Sequence, residues 1–355
     1  MKHIIGGNPA PQLPQVKTVH VDEDSAGQRL DNFLLRQLKG VPKTHVYRII
    51  RSGEVRVNKA RASADLRIAA GDTVRLPPVR ISERVAEKAQ ALVVGAAHGF
   101  VPRQFVALFE DDCILAIDKP AGVAVHGGSG VSFGMIEQLR MARPQARFLE
   151  LVHRLDRDTS GILLIAKKRS ALTKLQNQFR ERETGKTYLA LVAGRWPANK
   201  KVLDKPLHKY LLDSADGSTG QGERRVKVVS ADDPNGMRSV TLVKVLRHLP
   251  QAPTAPGKKD GYSLLEVTIK TGRTHQIRVH LASEGHPIVG DDKYGDFELN
   301  KALLRSAQPH ALKRMFLHAW RLQFDHPVSG ERVELLAPLP PELEAFVNHA
   351  QNLPV

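Results

Sequence analysis

The chain has 355 residues, with 53 Lys and Arg against 37 Asp and Glu, a formal net charge of +16. Hydrophobic residues make up 41% of it, which fits about two folded domains rather than a disordered basic tail. A single cysteine, Cys113, excludes a disulfide framework and any cysteine-rich metal or iron–sulfur site, and no apolar run reaches the roughly 18 residues that span a bilayer.

Residues 1–17 hold three Pro and no periodicity, and read as a flexible leader. The start lacks the apolar stretch of a secretory signal, so a cytoplasmic protein is expected. No long basic amphipathic helix is present, which leaves nucleic acid rather than membrane as the partner of the charge. Val19-His20-Val21 alternates like a strand. Leu30, Phe33 and Leu34 lie at helical spacing. Thr44–Ser52 predicts a second helix, with Val46, Ile49 and Ile50 inward and Gly53 as its stop. Val55-Arg56-Val57 reads as a strand, Asn58-Lys59 as a turn, and Thr73–Leu76 as a further strand. Lys43, Arg48 and Arg51 lie outside the apolar stripe, and Arg56 and Lys59 follow at once. A basic helix beside a basic hairpin suits phosphate, although a plain solvated surface would look the same.

Residues 81–104 read as a linker with a helical stretch near 83–93. The larger region, 105–345, mixes strands (Ile114–Ile117, Gly161–Ala166, Tyr188–Val192, Leu264–Ile269) with helices near 170–182 and 274–284. Residues 213–222 and 249–261 read as surface loops, and 346–355 as a tail. The expected class is α+β, a small module followed by a mixed, largely antiparallel sheet domain. Ser170 is the expected N-cap of the 170–182 helix. Leu172, Leu175 and Phe179 are expected to be scaffold.

One segment concentrates polar chemistry: Leu151-Val152-His153-Arg154-Leu155-Asp156-Arg157-Asp158-Thr159-Ser160-Gly161, just before an apolar strand. A carboxylate flanked by arginines can be a structural ion pair or a catalyst, and the residues alone do not choose. Lys186 sits in Gly185-Lys186-Thr187, which ends like a P-loop, but Arg180 stands where that loop needs its first Gly.

Longer strings narrow the choice. R-L-D-x-F-L, then V-x-R-I-I-R-S-G-E-V-R-V-N, then A-G-D-T-V, resemble the S4 RNA-binding domain across residues 18–80. H-R-L-D-R-D-T-S-G resembles the signature of the RluA family of pseudouridine synthases. Asp118-Lys119-Pro120-Ala121-Gly122 with His126, Lys186-Thr187-Tyr188, and Arg273-Thr274-His275-Gln276-Ile277-Arg278 through Gly290-Asp291 resemble its other motifs, in the family's order. Leu317-His318-Ala319 closes the set.

The resemblance implies isomerisation of uridine to pseudouridine in RNA, with no metal and no cofactor. It implies Asp156 as the catalytic carboxylate, either nucleophile at the anomeric carbon or base on the ribose. It implies Arg278 as the partner of Asp156 and Tyr188 as the ring packed on the target base. Arg154 would fill the space of the extruded base; contact with phosphate is the plain alternative for Arg154 and Arg278. Lys119, His126, Arg273 and His275 would line the RNA path or support it. Asp158 is expected in the turn, with an Asx bond to the Thr159 or Ser160 backbone. The S4 fusion points to the bacterial large-subunit branch, where two enzyme types share this architecture. The expected partner is 23S ribosomal RNA or a large-subunit assembly intermediate, met by a monomer. A non-catalytic RNA-binding assembly factor would need only the S4 module. A methyltransferase would need a Gly-rich cofactor loop, for which Gly127-Gly128-Ser129-Gly130 is a weak match.

Overall fold

A computed structural model describes residues 16–38, 41–79, 102–127, 133–212, 223–250, 261–306 and 311–351. Most of the expected leader and linker, the helix near 83–93 and almost all of the two expected loops lie outside them. The chain divides into two compact units, Met1–Val101 and Pro102–Val355.

In the first unit, helices α1 (Leu30–Gln37) and α2 (Lys43–Arg51) pack on a small antiparallel sheet. Its strands are β1 (Lys17–His20), β2 (Arg56–Val57), β3 (Ala60–Arg61) and β4 (Thr73–Leu76), in the order β1-β4-β2-β3. Val46, Ile49 and Ile50 of α2 bury against Leu30, Phe33, Leu34, Val57 and Val74, as their spacing predicts. Asn58 and Lys59 take φ of 50° and 68°, the left-handed pair that a tight two-residue hairpin requires. Asp31 is buried at the start of α1, where Arg29 (2.8 Å) and the Tyr47 hydroxyl (3.0 Å) both donate to it. That carboxylate ties the two helices together, and the Arg29 hydrogen bond holds its pKa below the usual value.

The second unit is built on a ten-stranded sheet. Its strands are β5 (Val106–Glu110), β6 (Ile114–Lys119), β7 (Glu150–Leu151), β8 (Ser160–Ala166), β9 (Gly185–Ala193), β10 (Val202–Asp204), β13 (Val240–Leu249), β14 (Tyr262–Ile269), β15 (Leu317–Asp325) and β16 (Arg332–Leu336). β11 (Leu207–Leu212) and β12 (Glu223–Val228) form a separate hairpin. The main path runs β10-β13-β14-β9-β15-β8-β6-β5, and only β15 with β8 is parallel. The α+β expectation with a largely antiparallel sheet therefore holds.

β8 shows how the apolar run makes two layers. Every residue in it is buried, and alternate side chains face opposite ways. Ile162 and Leu164 meet Leu172 and Leu175 of α4 (Arg169–Glu181). Leu163 and Ile165 meet Met135, Ile136 and Leu139 of α3 (Met135–Ala142). Two local expectations fail. α4 begins at Arg169, capped by the Lys168 backbone alone, so Ser170 falls inside the first turn and is not the N-cap. Residues 346–351 are not a tail: α7 (Pro341–Gln351) buries Leu343, Phe346, Val347 and Ala350 against Leu191, Tyr262 and Phe316. Helices α5 (Gln276–Ser283) and α6 (Phe297–Arg305) complete the unit.

Candidate active site

Asp156 sits in the turn that feeds β8, where the Thr159 amide donates to its carbonyl at 3.2 Å. Gly161 closes that turn at φ +105°. A Cβ there would lie 2.2 Å from the Ala319 carbonyl oxygen, so only glycine lets β8 approach β15 this closely. Asp156 opens into a cavity of about 520 Å³ lined also by His153, Arg154, Tyr188, Arg273, His275 and Arg278. Five of the residues expected at the site are thus brought to Asp156, from the β8 turn, β9 and the start of α5.

Arg278 is only 3% exposed, and it is held in three directions. Its Nη1 lies 3.3 Å from Asp156 Oδ2. Nε and Nη2 each lie 2.7 Å from the Asp291 carboxylate, and Nη2 is 3.2 Å from Asp292. The short two-point pairing is therefore with Asp291, and Asp156 receives one longer bond. Burial would raise the Asp291 carboxyl, but the Arg278 bonds and charge outweigh it and keep it below the usual range. Asp291 also accepts the Lys293 and Tyr294 amides at 2.8 and 3.0 Å. It follows Gly290, at φ +80°, where a Cβ would lie 2.1 Å from the Arg314 carbonyl oxygen.

His275 caps α5 in the left-handed region, at φ 52°. Its Nδ1 is hydrogen-bonded to the Tyr294 hydroxyl at 2.9 Å, and its Nε2 is 3.9 Å from Asp156. Burial pushes this imidazole below its ordinary pKa, against the pull of Asp156. Burial, reinforced by the Asp156 charge, pushes the Tyr188 phenol well up. Tyr188 therefore offers a neutral hydroxyl and a ring face, and phenolate chemistry is disfavoured.

The RNA pseudouridylate synthase family matches residues 114–283, and the S4 domain family matches 28–74. Ribosomal large subunit pseudouridine synthase C of Vibrio vulnificus is 48% identical over 94% of this chain and 96% of its own length. The protein of the same name from Escherichia coli K12 is 48% identical over 96% of this chain and 98% of its own. Human RNA pseudouridylate synthase domain containing 1, a solved structure, aligns with a TM-score of 0.52 at 28% identity, over 70% of this chain and 89% of that one. The chain belongs to the RluA family of RNA pseudouridine synthases.

Two expectations about this synthase need correction, those for Lys119 and Asp158. Lys119 does not line an RNA path. It is fully buried, and its ammonium donates to the carbonyls of Pro120, Val123 and Arg157 at 2.8–2.9 Å. Three donors meet three acceptors, so it clips the Asp156 loop to the end of β6. Burial lowers its pKa to about 7. His126 is exposed and does not line the Asp156 cavity. Asp158 makes no Asx bond: the Thr159 amide is already taken by Asp156, and the Asp158 carboxylate pairs with Arg157 at 3.2 Å. Asp158 lines a separate, larger cavity of about 940 Å³.

Two residues at the site, Asp291 and Phe179, escaped the sequence reading. Asp291 was visible in Gly290-Asp291 but carried no assigned role. Phe179, read as scaffold, stacks on His153 at 4.8 Å and 15°, and both form a cavity wall. The Leu164 amide donates to His153 Nε2, and burial, with Lys186 nearby, takes that imidazole to about 4. Behind the cavity, His318 joins β15 to β8 through Ser160, whose hydroxyl lies 2.9 Å from Nδ1 and 2.7 Å from Arg314.

In the S4 unit, Lys43, Arg48, Arg51 and Lys59 are exposed and Arg56 is half-buried. The sheet register places Arg56 opposite Arg61 on β3 and Arg75 on β4. Three guanidinium side chains thus stand in a row across neighbouring strands.

Proposed function

We propose that this synthase converts specific uridines to pseudouridine in 23S ribosomal RNA, as an enzyme of the C type named in its relatives. The observation that carries the reading is the single cavity holding Asp156, Tyr188 and a buried Arg278 whose charge is shared between Asp156 and Asp291. Asp156 attacks the anomeric carbon or takes a ribose proton; either role needs it ionised, and Arg278 supplies the neighbouring positive charge. The glycosidic C–N bond breaks and the uracil turns against the Tyr188 face. A C–C bond then forms to the same ribose as Asp156 releases the anomeric carbon, or returns the ribose proton, and the proton leaving the ring carbon is matched by one gained at the old ring nitrogen. Atoms and electrons balance within the substrate, so the reaction calls for no redox or group donor.

The uridine must leave its stack to reach Asp156, and Arg154, exposed at the cavity edge, provides the planar group that takes its place. Arg273 and His275 support the RNA from the α5 side. The S4 cations anchor the RNA by linkage rather than by chemistry, which raises its local concentration for a monomeric enzyme in the bacterial cytoplasm.

The test is pseudouridine mapping of ribosomal RNA from cells lacking the gene, complemented with wild type or with Asp156→Asn. Loss of particular large-subunit pseudouridines, restored by wild type alone, is expected. A D-type enzyme would lose a different set of large-subunit sites. An unchanged map, or full rescue by the Asn variant, overturns the reading.

A further inference from the structure

Lys186 is a cation that the chemistry above leaves without a task. It lies on β9 two residues before Tyr188, so the two side chains share a strand face, roughly 7 Å apart along the strand. Both line the Asp156 cavity. The Lys186 ammonium sits 5.4 Å from the centre of the Phe179 ring, and among the described residues no carboxylate pairs with it. Burial and the adjacent Arg182 both work against its charge and lower its pKa. Arg182, at φ 66° on the end of α4, and Arg180 line the same cavity and are exposed. Among the described residues the only carboxylate lining this cavity is Asp156.

A partly buried ammonium beside other cations is costly unless an anion completes it. The ring beneath it offers only a weak cation–π contact. An RNA nucleotide brings one fixed anion, its backbone phosphate, one backbone step from the base. With the base on Tyr188, a phosphate falls within reach of the next side chain on the same strand face. A flexible lysine is a point-charge phosphate binder and needs no planar partner.

We propose that Lys186, flanked by Arg180 and Arg182, forms a phosphate-binding site that grips the RNA backbone beside the target uridine. This rests on the reading that the cavity takes an extruded uridine. The site fixes the nucleotide at two points, base on Tyr188 and phosphate on Lys186.

The experiment measures affinity of the full-length protein for a large-subunit RNA fragment across roughly 50–200 mM salt. Lys186→Met keeps the apolar stem on Phe179 and removes the charge; Lys186→Arg keeps the charge. The expected result is a several-fold weaker affinity for the Met variant and a log–log salt slope shallower by about 0.7–0.9, with the wild-type slope restored by Arg. A Met variant that is folded by thermal melting and keeps the wild-type slope overturns the proposal. So does an Arg variant as shallow as Met. A second arm changes the RNA instead: RNAs carrying one neutral methylphosphonate linkage, placed on either side of the target uridine, are bound to wild type and to the Met variant. One of them should weaken wild-type binding, and should weaken the Met variant no further. If neither linkage matters, no phosphate is gripped there. Failure of the functional reading has a separate signature, since pseudouridine would then be absent from every large-subunit fragment whatever the salt slopes show.

Discussion

In the S4 unit all but the half-buried Arg56 of the expected RNA-binding cations stand in water, on an α-helix and a hairpin, whereas in the catalytic unit the central cation, Arg278, is almost wholly buried. The first arrangement asks nothing of the rest of the fold. Exposed ammonium and guanidinium groups are solvated, and each adds its share of attraction to phosphate. The second cannot exist alone. A buried guanidinium needs carboxylates, and Arg278 finds Asp291 thirteen residues later and Asp156 far earlier in the chain. Surface charge therefore acts nearly additively and buried charge acts as a unit.

The largest break in that comparison comes from Asp156. Asp156→Asn keeps size and removes the charge, and turnover should fall on the order of a thousandfold or more. RNA affinity should stay within a few-fold, because the S4 cations and the cavity rim are untouched. Single-turnover kinetics with a binding titration on the same RNA checks both numbers. A variant that turns over near the wild-type rate would remove Asp156 from the mechanism.

Asp291→Asn should come next. It removes the charge and one of the two acceptor oxygens that hold Arg278, so the guanidinium can shift toward Asp156. A displacement of about 1 Å at a reacting group costs roughly a hundredfold. The same change leaves a buried cation under-compensated, so stability should fall by about 3–5 kcal/mol. Activity and melting temperature should drop together. A stable, inactive variant would make Asp291 purely a positioning group; a stable, active one would show that Asp156 alone suffices.

These residues also mark how far the sequence could be read. The stripe Val46, Ile49 and Ile50, the left-handed Asn58-Lys59 turn and the apolar run of β8 are local patterns, and local patterns fix local structure. Asp156, Arg278 and Tyr188 were legible through the motif strings, and the cavity does gather them. Their electrostatics were not. Arg278 was expected to pair chiefly with Asp156, because nothing in sequence distance says that the Gly290 turn carries Asp291 to the guanidinium. Lys119 ends an apolar strand, where a lysine usually reaches water; three carbonyls converging from separate segments bury it instead. The α7 helix had its signal in Leu343, Phe346, Val347 and Ala350, at helical spacing after a proline, and reading residues 346–355 as a tail undercounted it.

Acid should separate the two units by stability. In the catalytic unit burial takes His153 and His318 down to about 4, from an ordinary value near 6.5. Between those values the unfolded chain binds protons that the folded unit refuses. Stability is therefore full above about 6.5 and is lost as pH falls toward 4. His318, fully buried and bonded to Ser160, should contribute most, about 2–3 kcal/mol on this order-of-magnitude reckoning. The S4 unit carries the opposite type of group. Asp31 has a lowered pKa, so its contribution persists across this window and fades only as pH drops below the usual carboxylate value. Thermal melts from pH 7.5 to 4.5, followed by hydrogen exchange resolved by segment, should show the catalytic unit loosening first. Equal loosening of both units would contradict this assignment.

The smallest effect has the most informative sign. Arg56 stands between Arg61 and Arg75 on adjacent strands, and like charges placed directly opposite across a sheet repel by a few tenths to about 1 kcal/mol. Arg61 and Arg75 are each tied to a backbone carbonyl, at Ser52 and Glu54, so the repulsion is not relieved by their swinging away. Threonine suits a strand and carries no charge. Arg56→Thr should therefore weaken RNA binding and lower the salt slope by about 0.7–0.9, while the S4 unit keeps its stability or gains slightly. The affinity ratio of wild type to variant should shrink about threefold between roughly 50 and 200 mM salt, as expected for one phosphate contact. Salt-dependent binding and a melt of the same two proteins measure both effects. Binding and stability would then move in opposite directions at a surface cation, where at Asp291 activity and stability fall together. If Arg56→Thr lowers the melting temperature by several degrees, the arginine row is structural and the division between solvated and buried charge fails in this unit.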